Sequence, residues 1–199
     1  TNNFCTWNPL DHDGSTSTAL TLSEGNLKTT HNTAGQWQAH RGSMSVSSGK
    51  WYFETQINVR PTSVSQNYNI GFFNADIFNA MYYNLDGNLS YGTQTNVGTI
   101  FVNTSGTTYG TLAPLDGDIY MFALDVDNEK FWVGLNGTWM ASGNPSTAVN
   151  PSASNFGQAT WSPLQSDYAY NTPYGVFTHN FGQDSSFAGN KTAGGNADG

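Results

Sequence analysis

The chain has 199 residues, of which only 10% are charged, against roughly 25% in ordinary globular domains, and aromatic residues reach 14%, far from the composition of a disordered chain. Six basic and 14 acidic residues give a net charge of −8, which repels phosphate backbones and anionic lipid and argues against nucleic acid or a membrane surface as partner. The single cysteine, Cys5, excludes an intrachain disulfide, and no apolar run approaches the ~20 residues of a membrane helix.

Residues 1–30 open on Phe4 and Trp7, turn at Pro9-Leu10-Asp11, alternate over Ala19-Leu20-Thr21-Leu22, and turn again at Ser23-Glu24-Gly25-Asn26. A polar stretch with Trp37 and His40-Arg41-Gly42 leads to Met44 and Val46. The strand at 51–59 has a clear period of two. Trp51, Phe53, Thr55, Ile57 and Val59 face one way, and Lys50, Tyr52, Glu54, Gln56 and Asn58 the other, until Pro61 stops it. Tyr68, Ile70 and Phe72 share a face of the next strand. Residues 74–81 suggest a short helical turn or loop, and Tyr82-Tyr83, Asp86-Gly87 and Leu89 with Tyr91 suggest a hairpin. A further strand spans 97–102.

Ile119–Val126 and Phe131–Leu135 alternate around Asp127-Asn128-Glu129, and Asn136-Gly137 supplies positive φ for a second tight turn, which predicts a central antiparallel hairpin. Residues 142–172 read as a long polar loop broken by Pro145, Pro151 and Pro163, yet they carry Phe156, Trp161, Leu164, Tyr168 and Tyr170. Tyr174–Phe181 is the last strand. Residues 189–199 have linker composition and no apolar side chain larger than alanine, so alone they are expected to be mobile.

Catalytic patterns are missing. There is no Gly-x-Ser-x-Gly elbow, Cys5 has no histidine motif beside it, and His12, His31, His40 and His179 are scattered without zinc spacing. Glycoside hydrolysis needs two carboxylates about 5–9.5 Å apart. The Glu-x-Asp-x-Glu pattern that would supply them is absent, since Thr55 and Gln56 follow Glu54. Asp116, Asp118, Asp125, Asp127 and Glu129 could offer oxygen ligands to calcium, but they lack EF-hand spacing and read as turn residues, as does Asp11-His12-Asp13-Gly14. No cofactor and no enzymatic activity are expected.

Four stretches in this order resemble a SPRY domain: Ser48–Ile57 (SGKWYFETQI), Asn69–Phe73 (NIGFF), Gly117–Trp139 with its Leu-Asp-Val-Asp turn and Leu-Asn-Gly-Thr ending, and Asn180–Gln183 (NFGQ). The resemblance implies an all-β, two-sheet antiparallel bent sandwich of the concanavalin-like type, almost without helix, as one domain at 1–188 with a linker or tail at 189–199. Trp51, Phe53, Ile57, Ile70, Phe72, Phe122, Leu124, Phe131, Val133, Leu135, Phe177 and Phe181 are its expected core. SPRY domains generally bind partners through loops at one end of the sandwich.

The opening Trp7–Lys28 further resembles SPRY modules in tail and other virion proteins of bacteriophages. This implies a non-enzymatic module on a virion surface, in a tail fibre, tail tip or capsid component. It would meet a host surface glycan or protein, or other virion subunits, and oligomerise through the larger assembly. A purely structural module between subunits is the alternative, and a glycan-cleaving sandwich a more remote one. The start at Thr-Asn-Asn, without Met, suggests a piece of a longer or processed polypeptide. Aromatics outside the expected strands, Tyr82, Tyr83, Trp139, Trp161, Tyr168 and Tyr170, are the binding candidates, because flat rings stack on sugar faces and anchor interfaces at low entropy cost.

Overall fold

A computed structural model describes residues 3–12, 20–61, 67–77, 87–94, 97–108, 114–184 and 186–187. Tyr82, Tyr83, the other half of the hairpin expected with Leu89 and Tyr91, the second half of the helical turn or loop expected at 74–81, and the 189–199 tail lie outside these residues.

Short alternating stretches can bury only one face each, so they must pack as opposed sheets. The described residues form fifteen strands. They are β1 (Trp7–His12), β2 (Thr21–Ser23), β3 (Lys28–Thr30), β4 (Gln36–Gly42), β5 (Lys50–Val59), β6 (Asn67–Asn74), β7 (Asn88–Gln94) and β8 (Val97–Val102), followed by β9 (Ser105–Thr108), β10 (Ile119–Asp125), β11 (Lys130–Leu135), β12 (Thr138–Trp139), β13 (Ala153–Ser154), β14 (Trp161–Ala169) and β15 (Val176–Asn180). A 3-10 turn at Met140–Ser142 is the only helical element among the described residues. One sheet runs β1-β4-β14-β6-β7-β8-β9 and the other β12-β11-β10-β5-β15-β3-β2, with β13 beside β11, and the paired strands are antiparallel throughout. The fold is an all-β, two-sheet antiparallel sandwich.

The central hairpin forms as its sequence predicts. Tyr120↔Leu135, Phe122↔Val133 and Leu124↔Phe131 pair across β10 and β11. Asn136 (φ 49°) and Gly137 (φ 82°) both take the left-handed conformation that a tight hairpin turn needs. On the inner face of one sheet Phe53 stacks on its neighbour Phe122 at 4.9 Å, and across to the other sheet it meets Phe72 edge-on at 5.3 Å. Of the expected core, Phe53, Ile57, Ile70, Phe72, Phe122, Leu124, Phe131, Val133 and Phe177 are buried, and Leu135 and Phe181 pack at its margin. Trp51 departs from the expectation at 48% exposure. It has the inward parity of Phe53 but stands at the start of β5, where a cavity of about 250 Å³ lined by Phe4, Met44 and Val46 replaces packed strands.

The expected long loop at 142–172 is corrected in its last third. Trp161–Ala169 is a central strand, paired with β4 on one side and β6 on the other. Its inward residues Gln165 and Asp167 join a polar layer inside the sandwich. The Thr29 hydroxyl donates to Gln165 Oε1 (2.9 Å) and lies 3.2 Å from His179 Nε2, while the Thr55 hydroxyl lies 3.0 Å from His179 Nδ1. With the Thr29 proton committed to Gln165, Nε2–H is the donor, and burial, which pushes the ring down to about 3, keeps His179 neutral, so Nδ1 accepts from Thr55. His31 Nε2 donates to the Thr33 carbonyl at 2.7 Å, so its bare Nδ1 faces Asp167, 4.0 Å away.

Candidate binding groove

Register decides what the outer face of the β12–β2 sheet presents. Ala123 of β10 pairs with Tyr52 of β5 on one side and with Trp132 of β11 on the other. A methyl group between two large rings leaves a trough. In the next row Asp125 pairs with Lys50 and Lys130, and the Lys50 ammonium stands 3.7 Å from the Asp125 carboxylate. Gly134 pairs with Trp139, and a side chain at Gly134 would meet the Thr138 carbonyl and the Trp139 ring, so the glycine is what lets that ring lie over the sheet.

The far wall is the loop after Trp139. Trp132 Nε1 donates to the Val149 carbonyl (2.9 Å) and Lys130 Nζ to the Ala148 carbonyl (3.0 Å), and Asn144 and Val149 bridge within the loop, which fastens Pro145 and Ser146 above the trough. The resulting groove holds about 270 Å³ and is lined chiefly by Trp51, Tyr52, Ala123, Trp132, Trp139 and Ser146. Tyr52 is 49% exposed and meets Trp139 edge-on, centroids 6.2 Å apart. Its hydroxyl donates to Glu54 Oε1, and burial together with that carboxylate pushes the phenol well above its usual range, so it remains a donor. Trp51 Nε1 is turned away, to the Ser48 carbonyl at 2.7 Å. The groove therefore offers aromatic faces at its sides with a carboxylate, an ammonium and hydroxyls between them.

The sequence candidates are not brought together. Trp139 lies in this groove. Trp161, expected in an exposed loop, is 1% exposed and packs edge-on to Phe156 inside the core, because β14 is central. Tyr168 and Tyr170 stand on the outer face of the other sheet, where Tyr168 packs against Trp37 at 5.3 Å and Tyr170 at 5.4 Å, and Tyr170 is 55% exposed. Tyr82 and Tyr83 are outside the described residues. Missed were Tyr52 and Trp132. Tyr52 carried a signal, being an aromatic in the outward set Lys50, Tyr52, Glu54, Gln56 and Asn58.

The acidic residues near the central hairpin serve the backbone. Asp125 accepts from Asn128, Asp127 from the Gly49 amide, Glu129 from the Gly157 amide, Asp118 from the Leu115 amide and Asp116 from the Arg60 amide. Asp11 is paired bidentately with Arg41. Among the described residues no group of three or more His, Cys, Asp or Glu is placed to hold a metal.

No family model matches the sequence, and no curated protein matches it. Among solved structures, the SPRY domain of human HERC1 superposes with a TM-score of 0.67 at 16% identity, over 89% of this chain and 99% of that one. The TRIM65 PSpry domain superposes with a TM-score of 0.59 at 11% identity, over 89% of this chain and 92% of that one. The fold is SPRY-like.

Proposed function

We propose that the chain is a non-enzymatic binding module of a bacteriophage virion protein, exposed on the virion surface, which holds a neutral host-surface glycan in the Tyr52–Trp132–Trp139 groove. The observation that carries this reading is the trough itself: the half-exposed Tyr52 ring and the partly exposed Trp139 ring over a floor of Ala123 and the buried Trp132. Concave aromatic sites with a few placed polar groups are where small ligands are held. A sugar presents apolar C–H faces to rings and hydroxyls to Glu54, Lys50 and Ser146. The low charge of the chain suits a neutral ligand, and the phage-like opening at Trp7–Lys28 supports the virion setting.

The test is a glycan array with the full chain and its Trp139→Ala variant. Base–aromatic stacking, about 1–3 kcal/mol per ring, sets an upper scale, so losing Trp139 should weaken glycan binding about tenfold or more at an unchanged melting temperature. If the variant stays folded and binds like the wild type, or if no glycan binds, the groove reading is wrong and packing between virion subunits takes its place.

A further inference from the structure

We infer that the ligand is an extended linear saccharide lying along β5, reaching from the aromatic groove to a second, amide-lined groove at the other end of the same sheet face. The inference rests on the saccharide reading above. The outward side chains of β5 run Lys50, Tyr52, Glu54, Gln56, Asn58, and at about 3.4 Å per residue Tyr52 and Asn58 are ~20 Å apart. Around Gln56 and Asn58 a groove of about 430 Å³ opens, with Lys28, Thr178 and Asn180 from the neighbouring strands. Pairing puts Thr178 beside both Gln56 and Lys28, and Asn180 beside Glu54, so all of them project from one face. Glu54 joins the two grooves: it accepts from Tyr52 on one side and pairs with Asn180 on the other.

Gln56 is the observation that points to a ligand. It is only 9% exposed, it lines the second groove, and its side-chain amide makes no hydrogen bond among the described residues. Neither atom of that amide is sealed from water, so both are open to the groove, and ligand hydroxyls can replace the water that satisfies them. Asn58 differs, since its carbonyl accepts from the Thr178 hydroxyl at 2.7 Å and leaves only N–H to offer. An amide gives a donor and an acceptor side by side, which matches neighbouring hydroxyls on a sugar. The lining mixes Glu24 and Asp184 with Lys28 and selects no charged polymer.

An extended peptide is the weaker occupant. β5 is central, flanked by β10 and β15, so its backbone groups are already in ladders and cannot take an added strand. What the face offers is side-chain amides, hydroxyls and rings, which a saccharide can use without a backbone partner.

The experiment is titration calorimetry on the full chain with size-graded linear oligomers of glucose, mannose, galactose and N-acetylglucosamine, comparing disaccharide with hexasaccharide. For the sugar that binds, the hexasaccharide should bind about tenfold tighter than the disaccharide, the scale of one or two net hydrogen bonds. Gln56→Ala should remove that gain and leave the disaccharide affinity unchanged, and Gln56→Met, which keeps the volume, serves if the alanine variant does not fold. Trp139→Ala should weaken both lengths. Equal affinity for the two lengths, or a gain that survives loss of the amide, overturns the extended site while Trp139-dependent binding keeps the aromatic groove. Absence of Trp139-dependent binding to every oligomer overturns both.

Discussion

Phe53 and Trp51 lie two positions apart with the same parity on β5 and meet opposite fates. Phe53 is 2% exposed within a cluster of rings, and Phe53→Ala should cost about 3–5 kcal/mol through lost transfer energy and a cavity, read as a lower urea midpoint at an unchanged slope. Trp51 is 48% exposed, and Trp51→Ala should cost about 1 kcal/mol or less, read as a nearly unchanged urea midpoint. A Trp51 variant that loses stability as Phe53→Ala does would put its ring in the core after all. Alternation told the face of each residue but not its depth, because the end of the facing sheet is a tertiary fact. Trp161 shows the converse. Its polar, proline-marked surroundings suggested exposure, and the sheet around it buried it.

At the scale of elements, the hairpin β10–β11 was legible because its apolar alternation and its turn residues agree. β14 was not, because Ser162, Pro163, Gln165, Ser166 and Asp167 look like loop. Pro163 is tolerated in a central strand for a local reason. Trp161 sends its N–H to the Val46 carbonyl, so the residue two further on aims its nitrogen at the same neighbour, where pairing with β4 lapses between the Val46↔Trp161 bridge and Leu164↔Arg41. The polar residues are tolerated because each meets a polar group far away in sequence: Gln165 the Thr29 hydroxyl, Asp167 the His31 ring, Ser162 the Gly42 carbonyl and Ser166 the Asn69 amide. The neighbouring pair β6–β7 depends on close backbone approach: a Cβ at Gly71 would come within 2.5 Å of the Leu89 carbonyl and 2.7 Å of Ser90 Cα. Since backbone must move, Gly71→Ala should destabilise by about 1–3 kcal/mol, measured by urea denaturation. A neutral result would mean that β7 is free to shift.

The polar layer makes the stability of the whole molecule depend on pH. His31, His40 and His179 are all held below the ordinary 6.5 by burial, His179 down to about 3. Folded, they refuse protons that the unfolded chain takes up, so the stability they contribute is complete above 6.5 and is lost as pH falls below it. Asp167 works the other way. Burial raises its carboxyl from 3.8 to about 8, so the folded chain keeps a proton that the unfolded chain has released. Stability then falls as pH rises from 3.8 through about 8. Below 6.5 three histidines oppose one aspartate and acid destabilises; between 6.5 and about 8 Asp167 acts without them, at up to about 1.4 kcal/mol per pH unit. Cys5 and Tyr120, both raised by burial, begin to matter only above their ordinary values of 9.0 and 10.0. Stability should therefore decline as pH rises from 6.5 through about 8. Asp167→Asn keeps the shape of the side chain next to His31 and Gly175 but cannot ionise. It should abolish the decline on the alkaline side and leave the acid limb in place, as followed by urea midpoints across the pH range. An Asn variant that declines with the wild-type slope between 6.5 and about 8 would show that Asp167 is not the group that titrates there.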